Sequence, residues 1–189
     1  QIDESIPDDL KEMPGVIVPR KTVGELRAIL ESDDTVISIS VSETKIKFQN
    51  SSMTLTSKVI DGSFPDYTRV IPKDNVKKME VDATYFAQSV DRVSTISSER
   101  ARAVKLNLHK NQLVLSVNSP DSGAADEELL VEYDDEELEI GFNAKYLQEI
   151  SAQVGGSNAL FLFNTPSDPV LMQEATDDSA IYVVMPMRV

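Results

Sequence analysis

One sequence pattern occurs three times in the chain, as VIVPRKTVGEL over residues 16–26, MEVDATYFAQSV over residues 79–90 and LEIGFNAKYLQEI over residues 138–150. In each copy, a short stretch of alternating apolar and polar residues leads into an amphipathic helical segment. Val18, Val81 and Phe142 occupy equivalent positions, which gives a repeat length of about 62 residues. The chain is therefore predicted to consist of repeats of one supersecondary unit.

The residue before each predicted helix favours helix initiation. Asp82 and Asn143 can accept hydrogen bonds from free backbone N–H groups, and Pro19 fixes φ at the same junction. The apolar residues that follow recur at the 3.6-residue period, which predicts one buried face on each helix. The three predicted stripes contain Val23, Leu26, Ile29 and Leu30, then Phe86, Val90, Val93 and Ile96, and finally Leu147, Ile150 and Val154.

Strand-like segments follow each predicted helix, because apolar and polar residues alternate there between clusters of Asn, Asp, Ser and Pro. They cover residues 36–41, 45–48 and 53–60, then 103–108, 113–117 and 128–133, and finally 159–163, 170–172 and 180–184. The predicted unit is β-α-β-β-β, and the predicted fold class is α+β with antiparallel sheets. If two units make one domain, residues 1–72 form half a domain and residues 73–189 a complete one, joined by a linker at 71–75.

The composition is that of a folded, acidic protein, with 18 Lys and Arg against 32 Asp and Glu and 41% hydrophobic residues. The absence of Cys excludes a disulfide scaffold and a cysteine nucleophile, and a single His excludes a multi-His metal cage, so no cofactor is expected. No apolar run approaches the ~20 residues of a membrane span and no secretion signal opens the chain, which predicts a cytoplasmic protein. Because the chain begins at Gln1, a leading segment is expected to precede it.

No catalytic constellation is present in the sequence. His109 falls in a predicted hairpin turn without an orienting partner, which is typical of a solvated residue rather than a general base. There is no Gly-rich phosphate loop and no G-x-S-x-G motif. The acidic clusters Asp126–Glu128 and Asp134–Glu137 are predicted to be solvated, or else to face a charge-matched protein partner. The sequence therefore predicts a protein that is not an enzyme.

Two further features each leave two interpretations open. Cations on and beside the predicted helices indicate either ordinary helix solubility or one cationic face on a molecule whose net charge of -14 by itself disfavours DNA binding. The apolar C-terminal segment, residues 183–189, either packs into a core, which we favour, or lines a groove, where Met would suit an adaptable surface. The cations concerned are Arg20, Lys21, Arg27, Arg92, Arg100, Arg102, Lys105 and Lys145.

Several segments together carry a resemblance. DGSFPDYTRV over residues 61–70 and YVVMPMRV over residues 182–189 match the D-G-x-F-P-D-Y-x-R-V segment and the Y-V-V-M-P-M-R-L terminus of one family. VIVPRK over residues 16–21 and EIGFN over residues 139–143 resemble two of its strand-to-helix junctions. On these motifs, the chain resembles the bacterial sliding clamp, the beta subunit of DNA polymerase III. The hairpin around residues 167–169 departs from the family pattern, and the final residue is Val where Leu is commoner.

The resemblance implies a DNA-clamp fold in which helices line a hole around duplex DNA and sheets form the outside. The chain would supply the second half of the middle domain and the whole C-terminal domain of a subunit. Two full-length subunits would form a ring that slides on DNA without sequence preference. Inward-facing cations carried over or inferred from the resemblance are Arg20, Lys21, Arg92, Arg100 and Arg102.

The resemblance also implies a pocket for short Gln-Leu-type peptides of the DNA polymerase III catalytic subunit, the clamp loader, other polymerases and repair proteins. The positions that would form it are Pro65, Tyr67, Arg69, Val70, Val183, Val184, Met185, Pro186, Met187 and Arg188. The homodimer interface would use Thr95, Ile96, Asp126, Glu127 and Glu128. The alternative function is a repeat-built adaptor that binds peptides but not DNA.

Overall fold

The computed structural model describes residues 15–30, 36–97, 102–154 and 158–188. The chain divides into two compact units between Asp66 and Tyr67. We call residues 15–66 the first repeat, residues 67–137 the second repeat and residues 138–188 the third repeat. The second and third repeats together form the two-repeat domain. The predicted assignment of residues 1–72 and 73–189 to two clamp domains stays a prediction.

The first repeat contains one helix and one three-stranded antiparallel sheet in the order β1-β2-β3. Its elements are α1 (Arg20–Ile29), β1 (Ser38–Val41), β2 (Lys45–Gln49) and β3 (Thr54–Lys58). The predicted strand before α1 is reduced to a single bridge between Ile17 and Ile60.

The second and third repeats contain the same kinds of element in the same order. In the second repeat they are β4 (Lys77–Asp82), α2 (Ala83–Ser94), β5 (Ala103–His109), β6 (Gln112–Ser119), β7 (Gly123–Leu130) and β8 (Glu132–Tyr133). In the third repeat they are β9 (Leu138–Asn143), α3 (Ala144–Ser151), β10 (Asn158–Phe163), β11 (Val170–Glu174) and β12 (Ile181–Val184). The predicted α+β class is confirmed, and the full β-α-β-β-β unit is present in the second and third repeats, while the first repeat has a single bridge in place of its first strand.

The two-repeat domain is held together by exchanged strands. One sheet has the order β12-β11-β10-β4-β8 and the other the order β7-β6-β5-β9, so the first strand of each repeat lies in the sheet of the other repeat. The segment predicted as one strand over residues 128–133 is divided, because the chain leaves β6 after Leu130 and pairs with β4 at Glu132 and Tyr133. A single polypeptide segment therefore contributes to both sheets.

The core of the two-repeat domain is built from the inward side chains of both sheets and both helices. Val90 and Val93 of the predicted stripe on α2 are buried, as is Leu147 on α3. The Phe86 and Phe161 rings meet edge to face with centroids 5.1 Å apart, and this contact joins the two repeats. Within the described residues, no helix has the length and apolar character needed to cross a lipid bilayer.

Candidate functional site

A groove of about 300 Å³ lies beside the C-terminal strand of the third repeat. Its walls are largely apolar, with the Glu149 carboxylate and the Tyr146 hydroxyl as polar groups. An apolar cleft with a few polar groups is the usual form of a site for a small ligand or peptide side chain. Among the described residues, the groove is lined by Tyr146, Glu149, Ile150, Val183, Val184 and Met185.

The helical wall of the groove is positioned by the start of α3. Asn143 Oδ1 accepts a hydrogen bond from Lys145 N at 3.0 Å, which fixes the first turn of the helix. Leu147 is fully buried in the core, and this anchors the rotation of α3 about its axis. Tyr146 and Ile150, four residues apart, therefore lie together on the neighbouring face that borders the groove.

The other wall is the end of the chain. Val184 is buried in the core, whereas Met185 is exposed and lines the groove. Met187 N donates to Gly141 O at 2.8 Å, which ties the tail back to β9. One part of the apolar C-terminal segment, Val184, therefore packs into the core, and another part, Met185, lines a groove.

The structure brings together only part of the predicted pocket. Val183, Val184 and Met185 line the groove, while Pro186 and Met187 are half-buried beyond it and Arg188 is exposed. Tyr67 to Arg69 form a 3-10 turn that, with Val70, lies outside the lining, and Pro65 belongs to the other compact unit. Val189 lies outside the described residues.

Sequence reasoning missed the contribution of α3 to this groove. Ile150 was assigned to the buried stripe of the helix, but it is half-buried and faces the groove. The available signal was the pair Tyr146 and Ile150, because an apolar and an aromatic residue at i and i+4 share a helix face. That face diverges from the one containing Leu147.

The helices of the two-repeat domain pack side by side and present a mixed polar surface. Gln148 Nε2 on α3 donates to Asp91 Oδ1 on α2 at 3.0 Å. A second depression of about 300 Å³ lies at this junction and is bordered by Arg102, Lys145 and Asp91. Arg100 lies outside the described residues.

The predicted DNA-facing Arg92 and the predicted interface residue Glu127 bind each other. Arg92 Nε donates to Glu127 Oε2 at 3.0 Å, and a second hydrogen bond joins the same two side chains. Buried Ser89 donates its hydroxyl to Glu127 Oε1 at 2.7 Å, and the Arg92 guanidinium lies 5.8 Å from the Tyr85 ring centroid. The hydrogen bonds from Arg92 lower the pKa of Glu127, although burial opposes this. Neither predicted role is tested by this contact.

The other predicted interface residues occupy two different settings. Thr95 follows α2 and its hydroxyl donates to Asp91 O at 3.1 Å, while Ile96 is half-buried against the core. Asp126 and Glu128 are exposed on β7, an edge strand of its sheet. Because Ile96 supports the core, a substitution there would test core packing as well as association.

The cluster Asp134–Glu137 forms a surface ion-pair network. Lys110 Nζ lies 2.7 Å from Asp134 Oδ1, and Lys77 Nζ lies 3.1 Å from Glu136 Oε2. His109 Nδ1 lies 3.0 Å from Glu137 Oε1, so the expectation that His109 has no orienting partner was wrong. The reason is the antiparallel pairing of β5 with β9. Leu108 pairs with Leu138, and this places His109 beside Glu137.

Repeats that exchange strands around one core, with an apolar groove beside the C-terminal strand, define a domain of the DNA-clamp class. Two family models match the chain, described as the DNA polymerase III beta subunit, C-terminal domain, over residues 68–188, and the same subunit's central domain over residues 3–66. The chain belongs to the DNA polymerase III beta subunit family.

Known relatives are similar along nearly the whole chain. The beta sliding clamp of Caulobacter vibrioides is 46% identical over 97% of this chain, and that of Escherichia coli K12 is 36% identical over 92% of it. The crystal structure of a sliding clamp from Bartonella birtlesii bound to griselimycin has a TM-score of 0.95 at 46% identity. That match covers all of this chain and 51% of the Bartonella chain. The chain spans about half the length of the curated relatives it matches, 49% for Caulobacter and 47% for Escherichia coli.

Proposed function

We propose that this chain is the C-terminal half of a DNA polymerase processivity factor, a cytoplasmic ring subunit that encircles duplex DNA and slides along it. The proposal is supported by membership of a family whose relatives are named beta sliding clamps. Its mechanism is topological rather than catalytic, because a closed ring cannot dissociate sideways from DNA. Contacts with phosphates can then be weak and independent of sequence, which permits sliding.

The groove carries the second part of the proposal, the docking of short Gln-Leu-type peptides. Ile150, Val183 and Val184 provide apolar walls for a Leu or Phe side chain, and exposed Met185 can adapt to its shape. Glu149 and Tyr146 can orient a peptide backbone or its Gln side chain. The proposed ligands are tails of the DNA polymerase III catalytic subunit, the clamp loader, other polymerases and repair proteins. The roles predicted for Pro65, Tyr67, Arg69 and Val70 belong to the same proposal.

The DNA-facing and subunit-facing roles are also proposals. Arg20 and Lys21 are exposed at the start of α1, and Arg102 borders the depression between α2 and α3. Arg92 forms an ion pair with Glu127, and this competition favours a transient rather than a tight contact between Arg92 and a phosphate. The exposed carboxylates of Asp126 and Glu128 suit cations on a partner subunit in a full-length homodimer.

The adaptor alternative has one observation in its favour, the pairing of helix cations with carboxylates. Besides Arg92, Lys145 Nζ lies 3.7 Å from Glu149 Oε1. Retention on circular DNA separates the two functions in a full-length polypeptide that contains this chain. A clamp stays on closed circular DNA and is lost after linearisation, whereas an adaptor is retained on neither.

Peptide docking is tested most directly at Met185. We expect Met185→Asp to weaken binding of a fluorescent Gln-Leu-containing polymerase tail at least tenfold, because a charge replaces an apolar wall. The matched control is Val76→Asp, which also places Asp at an exposed apolar position but lies outside the groove lining. Fluorescence polarisation that reports equal affinity for both variants would refute the assigned groove.

A further inference from the structure

The chain contains a single Asp-Gly sequence, at Asp61 and Gly62. The residue before it is held, because Ile60 N donates to Ile17 O at 2.9 Å. Asp61 and Gly62 then form an exposed bend that belongs to no helix or strand. Within the described part of the chain, neither the Asp61 carboxylate nor the Gly62 N–H has a hydrogen-bond or ion-pair partner. Two neighbouring groups that can react with each other are therefore both free.

The backbone of Gly62 leaves its peptide nitrogen accessible. Gly62 has a φ of 152°, which L side chains rarely adopt, so the bend requires glycine at this position. A Cβ built there would meet nothing within 4 Å, which shows that the space beside the residue is open. No side chain of residue 62 stands between the nitrogen and the carboxyl carbon of Asp61. The nitrogen can therefore be approached by the side chain that precedes it.

Other Asp and Asn residues that precede a small residue are held by hydrogen bonds. Asp178 is followed by Ser179, but Ser179 N donates to Asp177 Oδ1 at 2.8 Å. Asn50 is followed by a serine, but its Oδ1 accepts from Met53 N at 2.8 Å. In the first case the backbone nitrogen is engaged, and in the second the side chain is fixed away from it. Asp61 has neither restraint.

We propose that Asp61 is a modification site at which the backbone isomerises to an isoaspartyl linkage. The Gly62 nitrogen attacks Asp61 Cγ and forms an N–C bond, while one C–O bond of the carboxyl group breaks. The released oxygen leaves as water with the amide hydrogen and one proton, which gives a five-membered succinimide. Water then opens the ring at either carbonyl carbon. Attack at Cγ restores Asp61, and attack at the backbone carbon gives isoaspartate, so the net reaction consumes no oxidant, reductant or other reagent.

The product differs from the original chain in two ways. The backbone runs through Cβ and Cγ of Asp61, which lengthens it by one bond, and the carboxylate remains on Cα. The change lies shortly before Pro65, at the start of residues 61–70. An isoaspartyl carboxylate is the group that an S-adenosylmethionine-dependent isoaspartyl methyltransferase esterifies, and such an enzyme is the class of partner that the product fits.

The first experiment follows the isomer in the 189-residue chain during incubation at neutral pH and physiological temperature. Trypsin releases residues 59–69 as one peptide, because cleavage follows Lys58 and Arg69. We expect a second form of this peptide with the same mass, which accumulates with time and accepts a methyl group from S-adenosylmethionine and the methyltransferase. In heavy-oxygen water it should gain one labelled oxygen atom. Fragmentation should place the change at Asp61 and leave Asp66 of the same peptide unmodified.

Two variants test the chemistry at exposed positions. Asp61→Glu keeps the carboxylate but requires a six-membered ring, and should lower the accumulation at least about tenfold. Gly62→Ala adds a methyl group beside the attacking nitrogen and should slow the reaction as well. The matched control Asp178→Glu should leave it unchanged, and circular dichroism should show the same fold for all three. Absence of the isomer at Asp61, or equal accumulation in Asp61→Glu, overturns the proposal.

The second experiment repeats the incubation with a full-length polypeptide that contains this chain. The same peptide of residues 59–69 should isomerise there, with Asp61→Glu again as the comparison. Complete protection of Asp61 in the longer polypeptide would overturn the proposal for the assembled protein. Neither experiment depends on DNA or peptide binding, so failure of the proposed function would leave both results unchanged.

Discussion

The first repeat and the two-repeat domain share one sequence pattern but differ in what that pattern buries. On α1, Thr22 is the one buried residue among those described, whereas α2 buries five. The strand, cap and helix of each repeat are encoded locally, but burial of the helix stripe requires a second repeat. Formation of a repeat and stabilisation of a repeat are therefore separate properties of this sequence.

The second difference concerns the contact between helix and edge strand. Ser89 and Glu127 occupy the positions of Leu26 and Leu55, which line one shallow pocket in the first repeat. The second repeat thus replaces an apolar contact with a hydrogen-bonded one, in which Glu127 also binds Arg92. The following predictions compare residues of the two regions to test these differences.

The largest effect is expected from truncating one leucine in each region. Leu147→Ala removes a fully buried side chain and should lower the free energy of unfolding by about 2–5 kcal/mol. Leu30→Ala removes one that is 41% exposed and should cost less than about 1 kcal/mol. Urea unfolding followed by circular dichroism measures both, and equal losses would contradict the comparison.

A smaller effect is expected at the polar contact between α2 and β7. Glu127→Ala leaves the buried Ser89 hydroxyl without its acceptor and should cost about 1–3 kcal/mol. Leu55→Ala at the equivalent position of the first repeat serves as the apolar comparison. Urea unfolding near neutral pH measures the loss, and no loss for Glu127→Ala would show that solvent replaces the carboxylate.

The same residue gives a pH dependence with a defined sign. Because Arg92 lowers the pKa of Glu127 in the folded chain, the stabilisation is fully present above the ordinary Glu pKa. It is lost as the pH falls through the lower folded value. The stability difference between the unchanged chain and Glu127→Ala should therefore be constant near neutral pH and shrink on acidification.

The sequence predicts what is local and fails where distant residues meet. Asp82 and Asn143 cap their helices as expected, since each bond spans only two or three residues. The exchange of β4 and β9 between sheets, the division of residues 128–133 and the partner of His109 depend on long-range pairing. Of the residues predicted for the pocket, Val183, Val184 and Met185 line the groove, and the contribution of α3 was missed because nothing local indicates that the helix lies beside them.

A moderate effect is expected from the helix caps, which also differ between the two regions. Asp82 Oδ1 accepts from Tyr85 N at 2.7 Å, whereas Pro19 before α1 provides no side-chain acceptor. Asp82→Ala should therefore cost about 1 kcal/mol, and Pro19→Ala should remove no capping bond. Thermal unfolding of both variants, with exposed Thr84→Ala as a control, measures the difference. A loss for Thr84→Ala equal to that for Asp82→Ala would show that the effect is not specific to the Asp82 cap.

The smallest effect near neutral pH is expected at Tyr133, which lies on the last strand of the second repeat and pairs with β4. Tyr133 is buried and its hydroxyl donates to Glu136 O, whereas Ile60, at the end of the first repeat, is half exposed. Burial, followed by the charges of Asp135 and Glu136, raises the pKa of Tyr133 from 10.0 to about 12. The folded chain favours the protonated phenol, so its stabilisation is fully present below pH 10.0 and lost as the pH rises through about 12.

Tyr133→Phe should therefore change stability by less than about 1 kcal/mol at neutral pH and reduce the loss of stability at alkaline pH. Absorbance titration at 295 nm should show one of the five tyrosines ionising late, and that late phase should be absent in the variant. A late phase that persists in Tyr133→Phe would mean that another tyrosine carries the raised pKa. Burial of Tyr133 would then not exclude water from its hydroxyl.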